Sequence, residues 1–396
     1  MNKYLLSAII PTRNRQQYAA GAVKSILNLN KGIQVIVQDN SDDDSLRGFL
    51  EDVISNEDLV YHYVPERLSF VDNYNSAASY VNGEYCIALG DDDGLLVNII
   101  DCVKWMKANN IDALKPSINA YYFWPDPNSE SERGKSGYLN TSTFSGIMKY
   151  SDTRKSVIKL LQNGCQEYNS LPMAGTYHRI IRLDCMNEVK SVTGRYYGGL
   201  TPDIYSAVSL SLLKDLKFAE IDFPVSLQGI CPLSATAANH KGKHCGKLET
   251  APHFAGLKER YVWDERVPKY YSVETIWGET VLKAIHEMKQ DELIDMYYNP
   301  DILTFFMLKN NPKAREDIIE IVGKEKTNRI EHEYERIKTA HGKSKKIIES
   351  TVRRIPGNSI VFSQCHNIEE AVGQMDEFIR TPKMQRKWKC IEVSKS

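Results

Sequence analysis

No stretch of this chain approaches 18 consecutive apolar residues, so no membrane-spanning helix is expected. The eight cysteines (86, 102, 165, 185, 231, 245, 365 and 390) contain no CxxC pair and no disulfide-scaffold spacing. They are expected to be free thiols of a cytosolic chain, many of them buried. No GxGxxG follows the first β-rich run, which argues against a dinucleotide fold. There is no internal repeat and no sustained heptad. An excess of one charge is also missing. Fifty basic residues stand against 51 acidic ones, a net of -1, which argues against a dedicated nucleic-acid binder. The opening run Tyr4–Ile10 is too short for a leader and meets Pro11-Thr12-Arg13 instead of a small-residue cleavage site, so it reads as a first strand.

What is present is ample: 396 residues, 42% hydrophobic, enough for one large domain with an appendage or for two units. The even charge hides an asymmetry. Residues 1–130 hold 10 Lys/Arg against 18 Asp/Glu, whereas residues 341–396 hold 11 against 6.

The first hundred residues alternate strand and helix. Strands are expected at Leu5–Ile10, Ile33–Val37, Leu59–Val64 and Glu84–Leu89. Helices are expected at Gln16–Leu29, around Leu46–Val53, at Phe70–Val81 and at Leu95–Lys107. That alternation specifies βαβ units and a mostly parallel, Rossmann-like sheet, with ligands at the carboxyl ends of its strands. Residues 124–140 read as a flexible loop and 232–252 as loop. Asp203–Leu213 reads as helix and Phe218–Ile221 as strand. Beyond about 260 the pattern is helical: Val273–Lys289, Ile302–Leu308, Ala314–Thr339 and Ile368–Arg380. The expected organisation is a domain over 1–250, with a nucleotide-binding half to about 110 and an acceptor half over 111–250. A helical region over 251–396 follows.

Three adjacent carboxylates, Asp91-Asp92-Asp93, follow the apolar run Tyr85–Leu89. They repel one another unless a cation compensates, and a hard divalent ion with oxygen ligands would do so while gripping phosphates. The plain alternative is a solvated turn with an N-cap. Asp39 ends the second strand on the same rim and could accept the imide N–H of uracil or a ribose hydroxyl. Its plain alternative is an Asx turn through Asn40 and Ser41. Pro11-Thr12-Arg13 ends the first strand, and Arg13 or Arg15 could serve a phosphate or simply face solvent.

Taken in order, Ile9-Ile10-Pro11-Thr12-Arg13-Asn14-Arg15, Gln38-Asp39-Asn40-Ser41, Asn73-Tyr74-Asn75-Ser76-Ala77 and Gly90-Asp91-Asp92-Asp93 resemble the family 2 glycosyltransferases, inverting enzymes of the GT-A fold. The resemblance is good over about 4–110 and thins towards 240. It implies that Asp39 contacts the base, that Asp91 or Asp92 contacts the ribose, and that Asp93 holds Mn²⁺ or Mg²⁺ on the diphosphate. It also implies that Asn73 and Asn75 line the donor pocket, although helix capping would explain both equally.

A single-step inverting transfer needs one base for the acceptor hydroxyl. Asp203 is the best candidate. It follows Gly198-Gly199 and Pro202 where the family places its catalytic acid, although the family's frequent Glu-Asp pair is here Pro202-Asp203. Glu167 and Asp184 lack such a context. In the polar loop 234–244, His240 is a candidate further metal ligand, with Lys241 and Lys243 near the phosphates. The implied function is metal-dependent transfer from a nucleotide-sugar, UDP-sugar favoured, to a glycan or polyprenyl-diphosphate-linked oligosaccharide in surface-polysaccharide synthesis. O-antigen and capsule are examples.

A nucleotidyltransferase is the rival within the enzyme class. It would normally place a Gly-rich basic loop where Pro11-Thr12-Arg13 stands. A non-catalytic nucleotide-sugar-binding scaffold is the rival outside it. The run Lys343–Ile355 is either a basic amphipathic element on the inner face of the plasma membrane or a packed helix with a solvated basic face. A homodimer contact through the helix begun at Ala314 is a third option.

Overall fold

The computed structural model describes residues 3–117, 120–233, 245–333 and 359–384. Among the described residues fifteen strands form its sheets. In chain order they are β1 (Tyr4–Thr12), β2 (Gln34–Asp39), β3 (Leu59–Tyr63), β4 (Gly83–Ala88), β5 (Gly94–Leu95), β6 (Ala113–Pro116), β7 (Ala120–Phe123) and β8 (Tyr138–Ser142). They continue with β9 (Met148–Tyr150), β10 (Ile180–Arg182), β11 (Phe218–Ile221), β12 (Ser226–Ile230), β13 (Cys245–Gly246), β14 (Tyr271–Ser272) and β15 (Ser359–Ser363).

The main sheet has eight strands in the order β3-β2-β1-β4-β10-β6-β11-β9. Pairings among β1 to β4 are parallel, and β10 runs antiparallel to both β4 and β6. The centre of β1 is buried on both faces, which explains its unbroken apolar reading. Register sets the functional rim. Thr12 pairs with Asp39 and Ile9 with Ala88, so the ends of β1, β2 and β4 lie side by side. This is the expected α/β Rossmann-like core.

The helices on it follow from simple signals. Ser69 caps Phe70–Ala78 by accepting from the Asp72 N–H at 3.1 Å. Ser272 and Thr275 form a reciprocal capping box for Val273–Glu287. Among the described residues no helix is long and apolar enough to cross a membrane.

Several expectations need correction. The helix expected from Leu95 starts at Ile99, because Gly94–Leu95 is taken as a strand by β12. The flexible loop expected over 124–140 is ordered by packing: Trp124 is buried, Glu132–Ser136 is helical, and β8 begins at Tyr138. The long helix expected from Ala314 breaks at Gly323, whose φ of +95° leaves helical geometry, and helix resumes over residues 324–333. The basic run 343–355 lies outside the described residues.

The C-terminal region is mostly helical, yet its last described part returns to the first core. β15 pairs antiparallel with β8, and the helix Ile368–Arg380 buries Ile368, Ala371, Val372, Met375 and Ile379 in the same apolar cluster as Ala19, Val23 and Leu95. Tyr122 donates to the Cys365 carbonyl at 3.0 Å, and the Val97 N–H donates to Asp376 at 3.1 Å. Residues on both sides of position 250 therefore share apolar clusters. The described cysteines are free thiols, six of them buried and Cys245 exposed.

Candidate active site

A cleft of about 550 Å³ opens at the carboxyl rim of β1 and β4. One wall carries Pro11, Thr12, Arg13, Arg15, Asn73, Asp91 and Asp92. The other carries Tyr168, Asn169, Thr201 and Asp203, and Tyr271, Ile276 and Trp277 come from beyond residue 250.

The acidic triplet is split by the backbone. Asp91 accepts from Thr12 Oγ1 at 2.6 Å and pairs with Arg15, which also donates to Asp92 at 2.8 Å. Asp92 is held on its other side by the Cys231 N–H at 3.1 Å, and its carbonyl accepts from Trp124 Nε1 at 2.9 Å. Burial raises the Asp91 carboxyl against the pull of Arg15 and Thr12. Burial and the neighbouring Asp93 push Asp92 up to about 6. Among the described residues Arg15 is the one Arg or Lys paired with the triplet, and it meets Asp91 and Asp92, so two carboxylates share one guanidinium. Burial opposes charge on Arg15, yet Asp91 and Asp92 together hold its guanidinium above the usual value.

Asp93 does not face the cleft. It is 0% exposed, and it accepts from Gly229 N at 2.7 Å, Gly90 N at 2.5 Å and Tyr177 Oη at 3.2 Å. His178 Nε2 lies 3.0 Å away. Gly229 is required here: a Cβ would sit 1.8 Å from the Asp92 carbonyl oxygen. Burial alone would raise the Asp93 carboxyl, but His178 and these backbone N–H groups hold it below the usual range. Of the triplet, Asp91 and Asp92 line the cleft, whereas the turn after β4 folds Asp93, the expected metal ligand, inward. His240 lies outside the described residues. Among the described residues no three His, Cys, Asp or Glu side chains converge to hold a metal ion by themselves.

Two further expectations shift. Asp39 is fully buried, accepting from Ser41 N and from Tyr61 Oη, both at 2.9 Å. It forms the Asx turn and is not among the residues lining the cleft where the base contact is expected. Asn75 also faces away. Its amide donates to the Tyr197 carbonyl at 2.8 Å, and its oxygen accepts from Tyr196 N and Tyr197 N at 3.0 and 3.1 Å. It fastens the segment leading to Asp203 and touches no ligand space. Asn73 does line the cleft. Its amide donates to the Thr12 carbonyl at 3.3 Å, and its buried oxygen has no partner among the described residues.

Asp203 sits in the first turn of Pro202–Ser211, after Pro202 at the start of the helix. The approach is clamped from behind. Thr280 accepts from Leu200 N at 3.2 Å, and Tyr205 Oη donates to Glu287 at 2.5 Å. Tyr168 Oη donates to Asp203 Oδ2 at 2.5 Å, and Trp277 packs edge-on to Tyr168 with ring centroids 5.2 Å apart. Asp203 remains partly exposed. One wall therefore offers paired carboxylates with a guanidinium, and the other a positioned carboxylate suited to take a proton.

Residues 7–162 match the model of Glycosyl transferase family 2, so this segment is similar to that family. A curated relative, the Campylobacter jejuni GalNAc(5)-diNAcBac-PP-undecaprenol beta-1,3-glucosyltransferase, is 30% identical over 107 residues, covering 26% of this chain. The match spans about a third, 34%, of that relative's length. Crystal structures of S. aureus TarS are also similar. TarS 1-349 in complex with UDP-GlcNAc aligns over 82% of this chain and 83% of its own, at 11% identity and a TM-score of 0.45. TarS 1-349 in complex with UDP aligns over 57% and 61%, at 15% identity and a TM-score of 0.41.

Proposed function

We propose that this chain is an inverting, metal-dependent glycosyltransferase that moves a sugar from a nucleotide-sugar, UDP-sugar favoured, to a hydroxyl of a glycan acceptor. The observation that carries this reading is the pairing, across one cleft, of the Asp91–Asp92–Arg15 cluster with Asp203. The volume suits a nucleotide-sugar. Two buried polar atoms at the cleft residues, Arg15 Nε and Asn73 Oδ1, have no partner among the described residues. A diphosphate oxygen would satisfy the first and a ribose hydroxyl the second.

The donor set also suits a hard divalent ion. Asp91 and Asp92 offer carboxylate oxygens in a site with surplus negative charge, and the substrate's phosphates would complete the coordination. Bound there, Mn²⁺ or Mg²⁺ would neutralise the departing diphosphate. Arg15 contributes a fixed positive charge to the same leaving group. Asp203 takes the acceptor hydroxyl's proton, while Tyr168 holds its carboxylate in place. Trp277 and Ile276 exclude water from that side of the cleft.

The curated relative's name specifies an undecaprenol-diphosphate-linked substrate, which supports a polyprenyl-diphosphate-linked acceptor and a role in surface-polysaccharide synthesis. Work on such an acceptor would place the protein on the cytoplasmic side of the membrane. The check is transfer with and without chelator. EDTA should abolish turnover and Mn²⁺ or Mg²⁺ should restore it; turnover indifferent to EDTA would sink the metal role.

A further inference from the structure

Behind Tyr168 lies a second cavity of about 510 Å³, which shares Asn169, Tyr177 and Gln228 with the cleft. We propose that it receives an anionic substituent, a carboxylate or phosphate carried by a substrate sugar, through Arg179, Lys115 and Lys149. This rests on the glycosyltransferase reading and names the chemistry of its substrate.

The carrying observation is a buried charge with no carboxylate at ion-pair distance; Asp203 and Glu220 favour it only from further off. Arg179 is 3% exposed and lines the cavity. Its guanidinium donates to the Ala174 carbonyl at 3.1 Å and to Asn169 Oδ1 at 3.2 Å. No carboxylate of the described residues makes an ion pair with it, whereas Arg13 and Arg15, the two arginines lining the neighbouring cleft, each have one. An unpaired buried charge is costly, so keeping it calls for a ligand that pairs with it. Gly175 makes room for it, since a Cβ there would meet Arg179 Nη1 at 2.9 Å.

The neighbouring groups reinforce the imbalance. Lys115 Nζ stands 3.3 Å from Glu220 and is anchored on the Asn169 and Leu171 carbonyls at 3.0 and 2.5 Å. Lys149 lines the same cavity from an exposed position. Asp222, the other carboxylate there, is engaged by Ser117 and Ser145. Burial and then the Arg179 charge push the Lys115 ammonium down to about 8, as expected of a cationic pair short of anions.

Position gives the pair its meaning. The Arg179 guanidinium lies 5.6 Å from the ring centroid of Tyr168, whose hydroxyl holds Asp203. An anion in the cavity would therefore sit one side chain from the proposed base, close enough to be read together with the reacting sugar.

Calorimetry on the full chain tests this with two pairs of probes. The first is UDP-glucuronate against UDP-glucose. The second, at saturating UDP and Mn²⁺, is glucuronate or glucose 1-phosphate against glucose. In at least one pair the charged probe should bind about tenfold or more tightly than the neutral one, the equivalent of one charge-assisted hydrogen-bonded contact. Preference in the first pair puts the charge on the transferred sugar, and in the second on the acceptor. Arg179→Gln should abolish the preference and Lys115→Gln or Lys149→Gln should reduce it, with UDP binding unchanged in all three. A merely structural role for Arg179 would weaken charged and neutral probes alike, and Lys149→Gln, on the surface, is free of folding effects. Equal binding within both pairs, or a preference that survives Arg179→Gln and Lys115→Gln, overturns the proposal. If UDP itself fails to bind, the donor reading falls instead, and the same glucuronate, glucose 1-phosphate and glucose titrations run without UDP decide this one.

Discussion

Asp203→Asn should lower kcat by about 1,000-fold, inside the roughly 100- to 10,000-fold that a positioned general base contributes. The variant keeps the side chain's volume, and its amide oxygen can still accept the Tyr168 hydroxyl now 2.5 Å from the carboxylate. Fold and donor affinity should therefore survive, and the loss should fall on kcat with the KM for donor nearly unchanged. Steady-state kinetics with parallel calorimetry separates the two quantities. Wild-type turnover would remove Asp203 from the chemistry. A matching loss of donor affinity would make it a binding residue instead.

The second large effect distinguishes members of the acidic triplet. Asp93→Ala should cost the fold on the order of 3 kcal/mol, because it strands the Gly90 and Gly229 N–H groups in a buried turn beside His178. Asp92→Asn should leave stability almost untouched and weaken Mn²⁺-dependent donor binding by about tenfold or more, since it removes one of two charges offered to the cation. Thermal unfolding and donor titration on both variants read this crossed pattern. If Asp93→Ala unfolded like the wild type while losing donor, Asp93 would be the cation-facing carboxylate and Asp92 the structural one.

That crossed pattern also shows how far the sequence could be read. The rim was legible because it is a local matter: apolar strands of fixed period end in Pro11-Thr12-Arg13, Asp39 and the triplet, and a parallel sheet must bring those ends together. Which carboxylate faces outward was not legible. It depends on Gly229 and His178, more than 80 residues further along, packing under the turn. The same holds for Asp39 and Asn75, whose polar groups are consumed by Tyr61 and by the Tyr196–Tyr197 backbone.

Arg15 was within reach of sequence reasoning. Three adjacent carboxylates demand a cation, and Arg15 stands three residues beyond Thr12, which hydrogen-bonds to the first of them. Arg15 meets part of that demand, and the proposed divalent ion would meet the rest. Arg179 had no such signal, since its isolation is a property of what surrounds it. The return of β15 and the final helix to the first core was invisible for a similar reason. The periodicity of Ile368–Arg380 specifies a helix on its own, but the partner face lies about 350 residues earlier, on Gln16–Leu27.

The central claim is that the cleft takes a nucleotide diphosphate together with a divalent ion. Calorimetric titration of UDP into the protein, once with Mn²⁺ and once with EDTA, tests it most directly. Saturable one-to-one binding that weakens by at least tenfold when the ion is removed is the expected result. Absence of UDP binding in both titrations would contradict it.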